Sequence, residues 1–278
     1  GALTAGTITS TSGAVDLDAS GDLELTGSVR AASGLTIDSS TGGVAQSSGS
    51  IAVTSGVAAI AASDAVSIAS TANNFGGVVN VAGTDVSVSA SGDLAIGTLM
   101  ASGDTTLASV GSLNLNGAIT AQTVTATSTT ADINVGNVTA NAAMTLDARQ
   151  TVTMTGNIGV QTTLNVTAGR GVIQQPTGTL TVTDGPAIMS ALYGNVDLLN
   201  ASALPGLVIE DDRVRLARSG GVTNAIRDYI PVSTSTRLPV TNRILPPQRG
   251  IAQTATPVVS APSSVAAVQE LPADTALV

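Results

Sequence analysis

The sequence is dominated by a pattern that returns about every twenty residues. The stretches GDLELTGSVRAASGLTIDSS (21–40), GSLNLNGAITAQTVTATSTT (111–130) and ADINVGNVTANAAMTLDARQ (131–150) share one layout, in which a glycine or polar turn precedes short alternations of apolar and polar residues. Apolar residues that flank a single polar residue point to the same side of a β-strand. A fixed period of this size is typical of architectures in which identical units stack on one another.

Cutting the chain at the turn that opens each copy gives ten units. They are 1–20, 21–40, 41–63, 64–91, 92–110, 111–130, 131–150, 151–170, 171–193 and 194–220. Apolar residues then fall into columns, in which Val15 and Leu17 align with Leu35 and Ile37, Leu113 and Leu115 with Ile133 and Val135, and Met144 and Leu146 with Leu164 and Val166. Such short strands become stable when copies stack as parallel sheets, about 4.8 Å apart. The sequence therefore predicts an all-β fold, a parallel β-helix of about ten rungs over 1–220.

Composition supports this prediction and excludes several classes of function. Hydrophobic residues make up 43% of the chain, too many for a disordered protein, while only 1% is aromatic. The core must therefore be built from Val, Ile, Leu and Ala. The net charge of −9 argues against nucleic-acid binding, and no apolar run is long enough for membrane insertion. The sequence has no Cys, His or Lys, so no Ser-His-Asp or Cys-His catalytic unit and no cofactor is expected.

A second repeat with a longer period, the slower repeat, is superimposed on the twenty-residue units. GGVAQSSGSIAVTSG (42–56) is similar to GVIQQPTGTLTVTDG (171–185), at an offset of about 129 residues. Each is followed by a longer unit, 64–91 or 194–220, so a rung with a bulging insert is expected to close each stack. Two interpretations remain open, namely a duplication without functional meaning and a pair of inserts that carry binding loops.

Beyond residue 220 the pattern stops. Seven of the ten prolines lie in 231–278, and seven of the ten arginines lie in 213–249. Because proline removes a ladder donor, 221–278 is predicted to form an extended tail, polyproline-like or paired at a sheet edge. The candidate contacts of this tail, with the rod or with a neighbouring molecule, are Tyr229, Arg237, Arg243 and Arg249.

Two groups of carboxylates are candidate binding sites. Asp18 aligns with Asp38 one rung later, and Asp16 lies beside them, so the three could form a Ca²⁺ ladder or a solvated edge. The stretch 210–212 (EDD) precedes three arginines, which indicates either a site or a surface charge network. We expect neither group to hold a metal.

Three Thr-x-Thr runs need a separate interpretation. They are TVTAT (123–127), TVTMT (151–155) and TLTVT (179–183). Rows of threonine on a flat solenoid face can match ice, but threonine also has a high β-propensity on any outward strand face. The runs do not share one column, which favours the second interpretation.

The sequence starts without Met and inside the repeat, which indicates a mature or excised piece of a longer protein. A β-helix that starts in a rung has an open edge of unpaired backbone groups, which pairs with another chain unless it is capped. Either the chain continues upstream, or a second copy docks there. Head-to-tail docking that does not close produces a filament.

Several stretches of residues 1–220 resemble the passenger repeats of filamentous-haemagglutinin-like exoproteins of the two-partner secretion pathway. They include GDLELTGSVRAASGLTIDSS, GVIQQPTGTLTV and GNVDLLNASALPGL. The resemblance implies a right-handed parallel β-helix (β-solenoid), export through an outer-membrane transporter, and a role in adhesion or matrix building. The sequence lacks the Asn-Pro-Asn motifs of that family's amino-terminal secretion domain, so it resembles an internal or carboxy-terminal piece.

The expected function is that of an extracellular structural or adhesive β-solenoid, secreted by or on the surface of a Gram-negative bacterium, and not an enzyme. Its expected partners are a second copy bound head to tail, or ligands of a cell surface or biofilm matrix. Two alternatives remain. A carbohydrate-active β-helix enzyme would need outward carboxylates that meet in one groove, and an ice-binding solenoid would need a flat, aligned threonine face.

Overall fold

A computed structural model describes residues 1–204, 206–210, 214–216 and 230–231. Over these residues the chain forms thirty β-strands, numbered β1 to β30 in chain order, and no α-helix. The pairings between them are parallel. No described helix could cross a membrane. The strands wind into a parallel β-helix of about ten turns, as the twenty-residue period predicts.

Sheet A has twelve strands among the described residues, and neighbouring strands along it lie one turn of the coil apart. They are β1 (Leu3–Ala5), β4 (Leu23–Leu25), β7 (Val44–Gln46), β10 (Val66–Ile68), β13 (Val86–Ala90), β15 (Asp104–Ser109), β17 (Thr123–Ser128), β19 (Ala143–Ala148), β22 (Thr163–Ala168), β25 (Ala187–Ala191), β28 (Val208–Glu210) and β30 (Ile230–Pro231).

Two further sheets complete the turns. Sheet B is short and holds β2 (Ile8–Thr9), β5 (Val29–Ala31), β8 (Ile51–Val53) and β11 (Asn74–Phe75). Sheet C begins with β3 (Val15–Ala19), β6 (Leu35–Ser39), β9 (Ala58–Ala62), β12 (Val78–Gly83), β14 (Leu94–Ala101), β16 (Leu113–Ala121) and β18 (Ile133–Ala140). It then divides into one line of β20 (Thr151–Met154), β23 (Gly171–Gln174), β26 (Val196–Leu198) and β29 (Val214–Leu216), and a second line of β21 (Ile158–Val160), β24 (Leu180–Val182) and β27 (Ala201–Ala203).

The strand register confirms the columns predicted from the sequence. Val15 pairs with Leu35, Leu113 with Ile133, and Met144 with Leu164. Asp18 likewise pairs with Asp38. The period-2 alternation set these partners, because a slip of one residue would turn every apolar side chain of a strand outward.

The two longer units are the exception, and the expected inserts are wrong. Val66 pairs directly with Val86, so this turn takes 20 residues, like its neighbours. The unit 64–91 contains four strands, β10 to β13, and the unit 194–220 also contains four, β26 to β29. Each unit therefore includes one strand of the following turn, which is β13 of sheet A in the first case and β29 of sheet C in the second.

Inward-facing aliphatic side chains form one continuous core, and Phe75 is the one aromatic residue among its members. Leu25, Ile37, Leu113 and Leu146 are typical members, each 1% exposed or less. A fully buried side chain of this kind contributes about 1.5–3 kcal/mol. Since each turn adds only a few such residues, stability must come from stacking on both neighbours.

The two copies of the slower repeat lie on different sheets. The strand β7 of the first copy belongs to sheet A, and its equivalent β23 belongs to sheet C. In both copies, the glutamine side-chain amide donates to the carbonyl of a glycine three or four residues later, from Gln46 to Gly49 and from Gln174 to Gly178. From β7, six sheet A strands follow before β23. The copies are thus six turns and one strand apart.

The predicted boundary at residue 220 falls between β29 and β30. The strand β30 pairs with β28 and extends sheet A. The remainder of the predicted tail lies outside the described residues, and so do the four candidate contacts Tyr229, Arg237, Arg243 and Arg249.

Candidate functional site

A shallow groove follows the corner at which the chain passes from sheet C to sheet A. It spans four consecutive turns and has a volume of about 400 Å³. We call it the corner groove. Its lining residues are Ala62, Ser63, Ala82, Gly83, Thr84, Met100, Ala101, Ser102 and Thr120.

The register explains why these residues meet. Ala82, Met100 and Thr120 occupy one outward column on β12, β14 and β16. Alanine and threonine leave room on either side of the longer Met100 side chain, which is 68% exposed. The other three methionines of the chain, Met144, Met154 and Met189, are fully buried. Met100 therefore offers an adaptable apolar contact at the surface.

Carboxylates follow the lining residues on the sheet A side of the groove and form its border. Asp64, Asp85 and Asp104 follow its lining residues in three successive turns, and all three are exposed. Asp22, Glu24, Asp18 and Asp38 continue the acidic surface towards the first turns. Arg30 is on β5, and Arg149 and Arg170 follow strands of sheet A, so none of these three arginines lies at this corner.

Hydrogen bonds hold these aspartates in place. The Asp85 Oδ1 atom accepts the backbone N–H of Asp104 at 2.7 Å. The Oδ1 atoms of Asp64 and Asp104 accept hydroxyl groups of the next turn, from Thr84 at 3.1 Å and Thr123 at 2.7 Å. Asp22 accepts the N–H of Gly43 at 3.0 Å. Each negative charge is thus anchored before any ligand arrives.

Aspartates on another corner have the same structural role. Asp93 accepts the N–H of Ser112 at 2.8 Å, and Asp132 accepts that of Thr151 at 2.9 Å. Here, however, the carboxylates do not border the corner groove. The combination of anchored carboxylates with a groove is what makes the C-to-A corner a candidate site.

We expect Asp85→Ala to lower the free energy of unfolding by about 0.5–1.5 kcal/mol, because the Asp104 N–H loses its acceptor. Asp85→Asn keeps an Oδ1 acceptor and should match the wild type closely. Urea unfolding followed by circular dichroism measures both. Equal losses in the two variants would show that charge, rather than this hydrogen bond, carries the stabilisation.

Only the first members of this acidic surface could be predicted from the sequence. Asp18 and Asp38 were singled out with Asp16, and the structure places all three, exposed, on the outward face of β3 and β6. No group of acidic side chains that could hold a metal occurs among the described residues. A usable signal was present, because Asp22, Asp64, Asp85 and Asp104 each fall at the turn that opens a sheet A strand. Residues 211–213 of the second acidic group lie outside the described residues.

The three Thr-x-Thr runs lie apart, as their columns predict. They fall on β17 in sheet A and on β20 and β24 in the two lines of sheet C. A different column joins Thr106, Thr125 and Thr145 on adjacent strands, but Asn165 and Ile188 continue it. No aligned threonine face larger than this column arises from the runs on the described strands.

A second shallow groove, of about 310 Å³, lies near the first turns and is lined by Thr9, Ser10, Thr11, Arg30, Ala31, Ala32 and Thr54. Neither this groove nor the corner groove has a carboxylate among its lining residues. A glycosidase needs a pair of carboxylates that face each other across the substrate. The two grooves do not offer that arrangement.

Comparison with known families gives one match. A family model described as repeats of unknown function (DUF5649) matches residues 12–82 and 140–209, which together are half of the chain. The chain belongs to this repeat family. The second DUF5649 match begins 128 residues after the first, in agreement with the slower repeat and with the six turns and one strand that separate its copies. No curated protein and no solved structure matches the chain.

Proposed function

We propose that this DUF5649 protein is an extracellular structural and adhesive β-solenoid of a bacterial surface or matrix. The observation that carries the proposal is the unbroken stack of parallel strands, twelve of them in sheet A alone. Each turn satisfies the backbone groups of its neighbours, so a long and thin rod needs no large core. The resemblance to two-partner secretion exoproteins supports the location at a Gram-negative cell surface.

Composition supports a role outside the cell. The absence of cysteine suits a chain that crosses a membrane unfolded, because no disulfide can hinder its passage. The outward positions carry mostly Ser, Thr, Asn and Asp, which keep a large surface hydrated. Adhesion then depends on surface sites, and the corner groove is the site that combines a cavity, an apolar contact and fixed charge.

The test uses the full chain on fluorescent beads. Beads that carry it should be retained under flow on a bacterial biofilm or on a cell layer, and beads without protein should wash off. Electron microscopy of the same preparation should show rods of about 50 Å for ten turns. Rods without retention on any of these surfaces would contradict the adhesive part of the proposal, and the absence of rods would contradict the structural part.

A further inference from the structure

We propose that the corner groove of one copy binds the segment 237–249 of a second copy, so that copies associate head to tail. The inference rests on the proposed structural function and names its partner. Two independent properties of the groove lead to it, the charge along its border and the chemistry of its floor.

Charge is distributed unequally along the chain. Residues 1–104 contain nine Asp and Glu and one Arg, whereas 213–249 contains seven Arg and one Asp. Even with Glu210, Asp211 and Asp212 added, the segment 210–249 remains basic. Surfaces of opposite charge attract one another and fix the orientation in which two molecules meet.

The groove also fits the apolar part of this segment. The sequence RLPVTNRILPPQR (237–249) places an arginine at every sixth position, with Leu, Val, Ile and Pro between them. A chain rich in proline favours an extended form and loses little entropy when it binds. Its apolar side chains match the alanine, glycine and methionine surface of the groove, and its arginines match the aspartates along the border.

The dimensions agree as well. From the turn of Asp22 to the turn of Asp104 there are four steps along sheet A, from β4 to β15. At about 4.8 Å per step the acidic surface from Asp22 to Asp104 is roughly 19 Å long, and the groove border from Asp64 to Asp104 takes about 10 Å of it. Six residues of extended chain span about 20 Å. Two successive arginines of the segment, such as Arg237 and Arg243, therefore reach both ends of this acidic surface at once.

Association in trans, rather than within one copy, is part of the proposal. The groove spans the turns of β9, β12, β14 and β16, and in the sequence the segment follows the last described strand. Contact between different copies joins two different surfaces, and such a contact continues into a filament unless the rotation between copies closes it into a ring. A contact within one copy would produce monomers only.

Met100 provides a direct readout. Because the other three methionines are fully buried, hydrogen peroxide should convert Met100 to the sulfoxide first. We expect its oxidation rate, measured by mass spectrometry on the full chain, to fall several-fold as protein concentration rises, together with an increase in sedimentation coefficient. High salt should abolish both effects, because it screens the charges on the groove border.

Three variants complete the test. The groove variant carries Asp64→Asn, Asp85→Asn and Asp104→Asn, which keep the Oδ1 acceptors, and the segment variant carries Arg237→Gln, Arg243→Gln and Arg249→Gln. Each alone should stay monomeric, while their equimolar mixture should form dimers, because each keeps the half that the other lacks. The matched control, Asp93→Asn, Asp132→Asn and Asp147→Asn, changes charge equally and should associate like the wild type.

Several outcomes would overturn the inference. They are a Met100 oxidation rate that does not depend on concentration, a mixture of the two variants that stays monomeric, and a control that loses association as the groove variant does. Protection of Met100 at every concentration would assign the segment to its own copy instead. The bead assay is read separately, so retention without association would remove this inference and leave the proposed function intact.

Discussion

Asn73→Ala is expected to lower the free energy of unfolding by about 3 kcal/mol or more, since each buried group left without a partner costs roughly 1–3 kcal/mol. Asn73 is fully buried at the end of sheet B. Its Oδ1 atom accepts the N–H of Ile51 at 2.7 Å and the Nε2 of Gln46 at 2.9 Å. Its Nδ2 atom donates to the Gln46 Oε1 atom at 2.9 Å and to the Ile68 carbonyl at 3.3 Å.

The loss is large because the alanine variant leaves the Gln46 Oε1 atom, the Ile51 N–H and the Ile68 carbonyl without this partner, while the Gln46 Nε2 atom keeps its bond to the Gly49 carbonyl. Water cannot easily replace it at a site with no exposed surface. The neighbouring Asn74 is exposed and serves as the matched control, so Asn74→Ala should change stability by less than about 0.5 kcal/mol. Urea unfolding measures both variants, and similar small losses would show that the Asn73 network does not stabilise the fold.

The second large effect is expected for Gly117→Ala. A Cβ atom at this position would lie 1.1 Å from the Gly97 carbonyl oxygen of the preceding turn. Backbone atoms cannot move aside as a flexible side chain can, so β14 and β16 must separate. We expect a loss of about 3 kcal/mol or more, at or above the upper end for overpacked positions.

Gly159→Ala is the matched control for this prediction. Gly159 also lies within a strand, β21, but a Cβ atom there would have no neighbour within 4 Å. Its thermal midpoint should equal or exceed that of the wild type, because alanine reduces the entropy of the unfolded chain. If both variants unfold at the wild-type temperature, the close approach of the two turns at Gly117 is not a constraint on stability.

The sequence was informative wherever side-chain alternation decides the structure. Pairs such as Val15 with Leu35 and Met144 with Leu164 could be predicted because period 2 assigns each residue to the core or to solvent. Turn positions were harder to interpret, although Thr84 and Asp85 separate β12 from β13. A turn made of glycine and polar residues looks the same whether it changes sheet or carries an insert.

The corner groove could not be predicted for a related reason. It depends on Ala82, Met100 and Thr120 falling into one column, although 18 residues separate the first two and 20 the last two. The register shifts within β12, β14 and β16 absorb such differences, and sequence alone does not locate them. The acidic border, by contrast, repeats at a turn position and could have been read from its spacing.

The separation of six turns and one strand has a consequence for how a flat surface meets this rod. Equivalent strands of the two DUF5649 copies, such as β7 and β23, belong to different sheets, so they face different directions around the axis. A planar partner that touches one copy cannot touch its equivalent without rotating the rod. Binding to both copies at once therefore requires two partners, or one flexible partner that wraps around the solenoid. The duplication thus places equivalent surfaces in different directions around the axis, and it adds no second contact for one flat, rigid partner.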